Sequence, residues 1–514
     1  MIVDNYHCTV CNHTVEDDTS VLNSLGCDKC KQWYHRECAQ LTVSQFQHVM
    51  MNEDSDWLCE TCAINENRAQ TTQQIVQSVE LNTAYPDFRK ANSNQQNLNW
   101  GVMKGYESVD TMLTTAYNCI VKWKKNFFKI PLGNCGRAMV DEAARLTSLY
   151  NDRTSWEGLA LKALIVFIPL MTQKPSKNSK TRDHKKHLDR RLTMWKEGCL
   201  KSLLNEGNEI QKRFDNGSKN LKNSQNNITK TFTNLILQGK TSAACKLINR
   251  TEGGLLDVDE KVMQILHEKH PKAKHAEKGA ILVNSEGERQ QLRNVEPILY
   301  EGIDGALVLR AAMNTRGSGG PSKVDAETWK QMLCSKSFQP ASTTLCDEIS
   351  RLARRLCREY IDPDTLIEYS SCRLIPLDKD PESDSLKIRP IGIGEILRRL
   401  VGKTITMHLR PEMVESAGPL QTCAGVQGGI EAAIHAMQEI FNSPETEAMI
   451  LVDASNAFNR LNRQAALLNM DAICPEFTKY VIHTYRKPSR LYINVLGGEF
   501  IISRKVRHRA TTQQ

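Results

Sequence analysis

Two short stretches near the N-terminus hold six potential metal ligands: Gly26-Cys-Asp-Lys-Cys-Lys-Gln-Trp-Tyr-His-Arg-Glu-Cys38 and Trp57-Leu-Cys-Glu-Thr-Cys62. Together with Cys8 and Cys11 they form four close pairs, in the order C-x2-C, C-x2-C, H-x2-C and C-x2-C. One close pair can place two ligands on a zinc ion and leave room for a second pair. The pattern therefore predicts two structural zinc ions, with the ligands Cys8, Cys11, Cys27, Cys30, His35, Cys38, Cys59 and Cys62.

Paired cysteines can also indicate a disulfide-bonded secreted protein. This chain begins Met1-Ile-Val-Asp-Asn-Tyr-His-Cys8, without the basic and apolar regions of a secretory signal peptide. Of its 17 cysteines, the ten outside the close pairs are scattered singly, as in reduced intracellular proteins. We therefore expect an intracellular protein whose paired residues bind zinc.

The spacing and the Trp-Tyr-His run at residues 33–35 resemble a PHD finger. A RING finger would use the same interleaved pairs, but Trp57, two residues before a ligand, favours the PHD finger. We expect Trp57 in the core, because so small a domain has little other hydrophobic interior. The cross-brace of the PHD family implies two sites, Cys8, Cys11, His35 and Cys38 for one zinc and Cys27, Cys30, Cys59 and Cys62 for the other.

PHD fingers typically bind a histone tail, often by holding a methylated lysine against aromatic rings through cation–π attraction. The resemblance implies that Trp33 is one wall of such a cage. Ser24 stands where many cages have an aromatic residue or Met, which leaves the rest of the cage incomplete. Asp17 and Asp18 could instead pair with a lysine or arginine of the peptide. The alternative is an exposed tryptophan on a zinc-stabilised fold, beside a solvated acidic loop.

Length and composition show that the finger is a small part of the chain. A chain of 514 residues is expected to hold about three or four domains. Its longest apolar run, from Leu159 to Met171, contains Lys162 and Pro169 and is too short for a membrane span. The net charge of +8 favours polyanionic partners slightly, but over so long a chain it could equally serve ordinary solubility.

The densest positive charge lies between residues 174 and 191, where eight side chains are Lys or Arg. Such a run can neutralise nucleic-acid phosphates or act as a nuclear import signal. The alternative is a solvated loop that leads into an amphipathic helix. The sequence alone does not choose among RNA, DNA and the import machinery as the partner.

The remaining chain divides by composition and periodicity. Residues 64–104 are rich in Asn, Gln, Ser and Thr, which predicts a polar linker after the finger at 1–63. Residues 105–330 have the apolar spacing of helices. Three helices are predicted in particular, over Glu157–Phe167, Lys230–Leu247 and Ser342–Tyr360.

Beyond Ser370 the pattern changes to that of a mixed α/β domain. An apolar strand from Ala448 is expected to end at Asp453, where a rigid carboxylate could bind a divalent metal. The other predicted elements are strands over Cys372–Asp378 and Ser385–Ile391 and a helix over Gly394–Leu409.

The stretch Asp453-Ala-Ser-Asn-Ala-Phe458 resembles the first palm motif of reverse transcriptases, and Ile388-Arg-Pro-Ile-Gly392 resembles part of their fingers. The similarity is closest to the polyprotein of a metazoan non-LTR retrotransposon. It implies that residues 331–514 form the fingers and palm of an RNA-directed DNA polymerase. In that family Asp453 would bind the catalytic metals, Phe458 would lie under the sugar, and Arg389 would approach the incoming triphosphate.

Polymerisation in this family also needs a Tyr-x-Asp-Asp hairpin, and the sequence to Gln514 contains none. Two-metal catalysis requires at least two carboxylates, so we expect Mg²⁺ only if the site were completed, and no polymerisation by this chain. Three interpretations remain open. They are a nuclear retroelement protein that functions through its finger, the N-terminal part of an active retrotransposon reverse transcriptase, and a host chromatin reader with a retroelement-derived scaffold.

Overall fold

A computed structural model describes the protein at residues 8–10, 24–27, 29–30, 32–39, 41, 49, 57–59, 62, 106–218, 224–237, 239, 241–248, 255–271, 282, 295–379, 386–419, 421–422, 426–454, 456–493 and 500–503. The chain divides into two units, Met1–Gln95 and Gln96–Gln514. Cys11, Asp17, Asp18 and the predicted linker at 64–104 lie outside the described residues.

The N-terminal unit contains a short antiparallel strand pair, β1 (Ser24–Gly26) and β2 (Trp33–His35). Cys8 forms a parallel bridge with Trp33 on the other side of β2, so that β2 lies between β1 and the Cys8 segment. Successive side chains of a strand point to opposite faces. Tyr34 is therefore directed away from Trp33 and His35, and it joins Cys27 and Cys59 in a small core.

The second unit is mostly helical in the described ranges. Its first eight helices are α1 (Tyr106–Lys122), α2 (Asn134–Asn151), α3 (Glu157–Thr172), α4 (Thr181–Lys196), α5 (Leu200–Ser218), α6 (Ser224–Leu237), α7 (Thr241–Ile248) and α8 (Glu260–Lys269). Five more precede or flank the sheet, α9 (Gly305–Met313), α10 (Ala326–Cys334), α11 (Ala341–Arg358), α12 (Ile367–Ser370) and α13 (Ile396–His408). The last are α14 (Arg410–Ala417), α15 (Gly429–Asn442), α16 (Ala457–Arg460), α17 (Arg463–Ile473) and α18 (Pro475–Tyr485).

Helix α3 lies at the centre of the core and is buried on nearly every side. A helix that is apolar around its whole circumference must be covered on all sides. Lys162 is tolerated there because its ammonium group lies 2.7 Å from a carboxylate oxygen of Asp110 and 3.5 Å from one of Glu368. The prediction of a helix beginning at Glu157 is confirmed.

Helix α11 packs its apolar stripe against α2. Leu345, Ile349, Leu352 and Leu356 are fully buried, which confirms the predicted helix, while Tyr360 lies past its end and is exposed. The helix predicted over Lys230–Leu247 is instead two helices, α6 and α7. Gly239 separates them with a φ of +68°, a left-handed conformation that glycine adopts without steric cost.

The second unit contains a mixed sheet of four strands, β3 (Cys372–Asp378), β4 (Ile388–Gly394), β5 (Ser489–Ile493) and β6 (Phe500–Ser503). Their order in the sheet is β4-β3-β5-β6. The two central strands, β3 and β5, are parallel, and both outer pairs are antiparallel. One face packs against α8 through Val262 and Leu266. The strand predicted over Cys372–Asp378 is confirmed by β3. The strand predicted over Ser385–Ile391 overlaps β4, which spans Ile388–Gly394.

The strand predicted over Ala448–Asp453 is wrong for this structure. Residues 448–453 have no regular secondary structure, and Ile450, Leu451 and Val452 are 84–90% exposed. A strand that is apolar at every position is stable only when other strands bond to its edges and other elements cover its faces. None of the strands within the described ranges pairs with it.

None of the described helices is both long and apolar enough to span a lipid bilayer.

Candidate metal centre

The structure brings the predicted ligands together in two groups. Each residue offers one ligand atom, and within each group these atoms all lie within 4.8 Å of one another. Cys11, the remaining predicted ligand, lies outside the described residues. The two groups are Cys27, Cys30, Cys59 and Cys62, and Cys8, His35 and Cys38.

The interleaving of the two groups follows from the strand pair. Cys27 comes directly after β1 and His35 ends β2, so the hairpin places consecutive sequence pairs at different sites. The backbone N–H of His35 donates to Sγ of Cys8 at 3.5 Å, which ties the first pair to the third. The backbone N–H of Cys59 donates to Sγ of Cys27 at 3.2 Å, which ties the second to the fourth.

The spacing of the sulfur atoms fits a zinc ion. With Zn–S bonds of about 2.3 Å, two corners of a tetrahedron are about 3.8 Å apart. Sγ of Cys30 and Sγ of Cys59 are 3.8 Å apart, and Sγ of Cys38 lies 4.0 Å from Nδ1 of His35. Cysteine thiolates and an imidazole nitrogen are also the donor types that zinc prefers. The residues present therefore fit structural zinc.

The pKa values of the thiols show why the four-cysteine group needs a bound cation to be fully ionised. Burial raises the pKa of Cys27, but hydrogen bonds from the backbone of Cys30, Cys59 and Lys29 outweigh it and lower the pKa to about 6. Burial and hydrogen bonds with the neighbouring thiols raise the pKa of Cys62 to about 12. Because thiolates packed together repel each other, a bound dication is what would let all four ionise.

Two aromatic residues support the four-cysteine group. The Tyr34 hydroxyl is hydrogen-bonded to the Cys59 thiol, which helps to lower the pKa of Cys59 against the effect of burial. The Tyr34 ring meets Trp57 edge-on, with 5.6 Å between ring centroids. Trp57 packs against the small core, as the sequence predicted. Tyr34 was missed by the sequence interpretation, although strand alternation between Trp33 and His35 is the signal that would have placed it inside.

Trp33 lies on the opposite side of β2 from Tyr34. In the strand register it faces Gly26, and a Cβ atom added to Gly26 would lie 3.6 Å from the indole ring. The indole ring therefore lies beside Gly26 of β1, at a distance at which a Cβ atom would make an ordinary van der Waals contact. Ser24, the expected second cage position, is buried beside His35 instead of lining an open surface.

The model of a known family, Pygopus, PHD-type zinc finger, matches residues 5–66. The N-terminal segment is a PHD-type zinc finger. The matched PHD finger contains both groups of ligand residues found in the structure. No curated protein matches the chain.

The residues assigned by sequence to a polymerase site are far less organised than the PHD finger. Arg389 is exposed on β4, opposite Leu377 of β3. Asp453 is exposed in the irregular stretch, and the backbone of Phe458 lies in the short helix α16. Among the described residues, no group of three or more possible metal ligands includes Asp453.

Proposed function

We propose that the PHD finger binds an extended peptide, which adds as a third strand to the outer edge of β1. The observation that carries this proposal is the position of β2, which is bonded on both sides, while in the described part of the finger β1 is bonded to β2 alone. An unpaired strand edge offers a row of backbone N–H and C=O groups to a peptide. Trp33 lies next to this edge, over Gly26.

The best candidate for the peptide is a histone tail with a methylated lysine. The face of an indole attracts a quaternary or tertiary ammonium group through cation–π interaction. Asp17 and Asp18, outside the described residues, are proposed to pair with a basic side chain of the same peptide. The eight paired residues named by the sequence are proposed as the ligands of two zinc ions that hold the binding edge in place.

The test compares binding of histone H3 tail peptides, with and without lysine methylation, by the zinc-loaded full chain. Trp33→Ala is expected to weaken binding of the methylated peptide about 5- to 30-fold, because cation–π contacts contribute about 1–2 kcal/mol. Trp33→Phe keeps an aromatic face and is expected to retain part of the affinity. Equal binding by Trp33→Ala and the unchanged protein, with equal zinc content, would exclude this role for Trp33.

We also propose that residues 331–514 derive from the fingers and palm of a retrotransposon reverse transcriptase. The support is the spacing of Asp453 and Phe458 in the sequence and the confirmed pair β3 and β4, which carries Arg389. The proposed role is non-catalytic, since no cluster of described carboxylates accompanies Asp453. Primer extension on an RNA template with Mg²⁺ or Mn²⁺ that depends on Asp453 would overturn the proposed non-catalytic role and favour an active polymerase.

This assignment goes with the proposed division into a finger (1–63), a linker (64–104), a helical region (105–330) and the polymerase-like part (331–514). A nuclear location is proposed with it, because histone tails and nucleic acid for the basic segment at 174–191 are found there. Imaging of the tagged protein tests the location, and exclusion from the nucleus would contradict it.

A further inference from the structure

In the structure, the basic run at residues 174–191 lies beside a second basic segment, residues 122–129, which the sequence analysis did not connect with it. Phe127 and Gln173 form an antiparallel bridge, and the backbone N–H of Lys174 donates to the carbonyl of Asn126 at 2.9 Å. The ring of His184, in the first turn of α4, stacks on Phe128 with 4.5 Å between centroids. Residues 122–129 and 174–186 thus lie side by side, and we call them together the basic surface.

The charge of the basic surface is strongly one-sided. Residues 122–129 contain four lysines and no acidic residue, and residues 174–186 contain six cations and Asp183 alone. Nine of these ten cations are exposed, and Lys174 is half-buried. The exposed cations are Lys122, Lys124, Lys125, Lys129, Lys177, Lys180, Arg182, Lys185 and Lys186.

The two ends of the basic run differ in their ion pairing. Arg190 and Arg191, at its C-terminal end, both lie near the carboxylate of Glu206, and Arg191 is fully buried. These two arginines hold α4 against α5 and are unavailable to a partner. In contrast, Lys177, Lys185 and Lys186 form no ion pair with any described residue.

Lys125 forms an ion pair with Asp325, whereas the cations that form no ion pair with a described residue, Lys177, Lys185 and Lys186, favour a polyanionic partner. Lys185 and Lys186 follow Arg182 by three and four residues on α4, and like charges at these spacings are mutually destabilising. None of the large apolar side chains exposed in the described ranges belongs to the basic surface. Protein–protein interfaces usually have an apolar centre, whereas contacts with nucleic-acid phosphates are made by Lys and Arg.

We propose that the basic surface binds the phosphate backbone of a nucleic acid without sequence preference. Phosphate contacts fix position but carry no base information, so the same surface accepts different sequences. The proposal rests on the nucleic-acid partner proposed above for residues 174–191 and extends it to residues 122–129. It is independent of peptide binding by the PHD finger and of the polymerase assignment, because those depend on other residues.

The test measures fluorescence anisotropy of labelled probes of about 20 nucleotides or base pairs with the zinc-loaded full chain over a range of salt concentrations. The probes are duplex DNA, duplex RNA and single-stranded RNA, each with a scrambled-sequence partner. The variant Lys177→Gln/Lys185→Gln/Lys186→Gln removes three charges from the basic surface. The control Lys230→Gln/Lys261→Gln/Arg310→Gln removes three charges from exposed positions on α6, α8 and α9.

Loss of three phosphate contacts is expected to weaken binding about 10- to 100-fold near 0.1 M salt and to make the slope of log K against log salt shallower by about 2–3. The control and the scrambled probes should bind like the unchanged protein and the original probes. The probe bound most tightly identifies RNA or DNA as the source of the phosphates. Equal weakening by both triple variants, or no measurable binding of any probe, would overturn the proposal. Unchanged circular dichroism would show that both variants are folded.

Discussion

The described part of the PHD finger has a core of three buried residues, Cys27, Tyr34 and Cys59, and two of these belong to a ligand group. The helical unit has a continuous core that runs from Val109 in α1 to Tyr492 in β5. Burial of apolar side chains stabilises a fold by about 1.5–3 kcal/mol per large residue, so the helical unit can be stable by packing alone. The finger has too few such residues and needs another source of stability.

The two units are therefore expected to be destabilised by different changes. A small metal-stabilised domain loses its fold with its metal, whereas a packed helical core is weakened in proportion to the volume removed. Changes in one unit are therefore expected to leave the characteristic signal of the other intact.

The largest effect is expected from Cys59→Ser. Zinc binding contributes about 10–16 kcal/mol to the folding of small fingers, so loss of a ligand should unfold the four-cysteine site. The zinc content measured by mass spectrometry should fall by at least one ion per chain, while far-ultraviolet circular dichroism, dominated by the helical unit, changes little. Cys245→Ser, at an exposed cysteine outside both groups, is the control and should keep full zinc content. Full zinc content in Cys59→Ser would contradict the ligand assignment.

In the helical unit, Leu352→Ala should lower the free energy of unfolding by about 2–5 kcal/mol, because it leaves a cavity at a fully buried position of α11. Thermal unfolding followed at 222 nm by circular dichroism measures the loss. Thr343→Ala, on the exposed side of the same helix, should change the free energy of unfolding by less than about 0.5 kcal/mol. A fall in zinc content with Leu352→Ala would show that the two units are coupled.

The parts of the molecule that were predicted from sequence depend on local rules. Ligand pairs such as Cys27 and Cys30 are close in the chain, and the apolar stripe of α11 repeats every three or four residues. Both signals are contained in a short window of sequence. For the same reason α3 was predicted, from apolar residues at three- and four-residue spacing over Glu157–Phe167.

The features that were missed depend on contacts distant in sequence. The burial of Arg191 depends on Glu206 and on the carbonyl of Leu170, to which it donates a hydrogen bond. The pairing of residues 122–129 with 174–186 depends on a bridge across 46 positions, between Phe127 and Gln173. The apolar run at 448–453 has the composition of a buried strand, but composition alone does not supply the neighbouring strands that burial requires.

A smaller effect is expected from pH through His187. Burial, and then the charge of Arg191, lower its pKa from 6.5 to about 4 in the folded protein. Between these values the unfolded chain binds the proton more readily, so the free energy of unfolding falls as the pH drops from about 6.5 to about 4. His187→Gln should remove roughly 1–2 kcal/mol of this pH dependence, after allowance for solvent screening. Unfolding by denaturant at several pH values measures it, and identical pH profiles would contradict the assignment.

The smallest effect is expected from Tyr34→Phe in the PHD finger. The variant keeps the ring that packs against Trp57 and removes only the hydroxyl that is hydrogen-bonded to the Cys59 thiol. Loss of one such bond costs about 1 kcal/mol, which is about a fivefold loss of zinc affinity. Competition with a chromophoric chelator measures this affinity, with Tyr360→Phe, at an exposed tyrosine of the helical unit, as the control. Metal binding and folding of a finger are one equilibrium. Unchanged zinc affinity in Tyr34→Phe would therefore show that packing contributes more to the stability of the finger than the comparison of the two units implies.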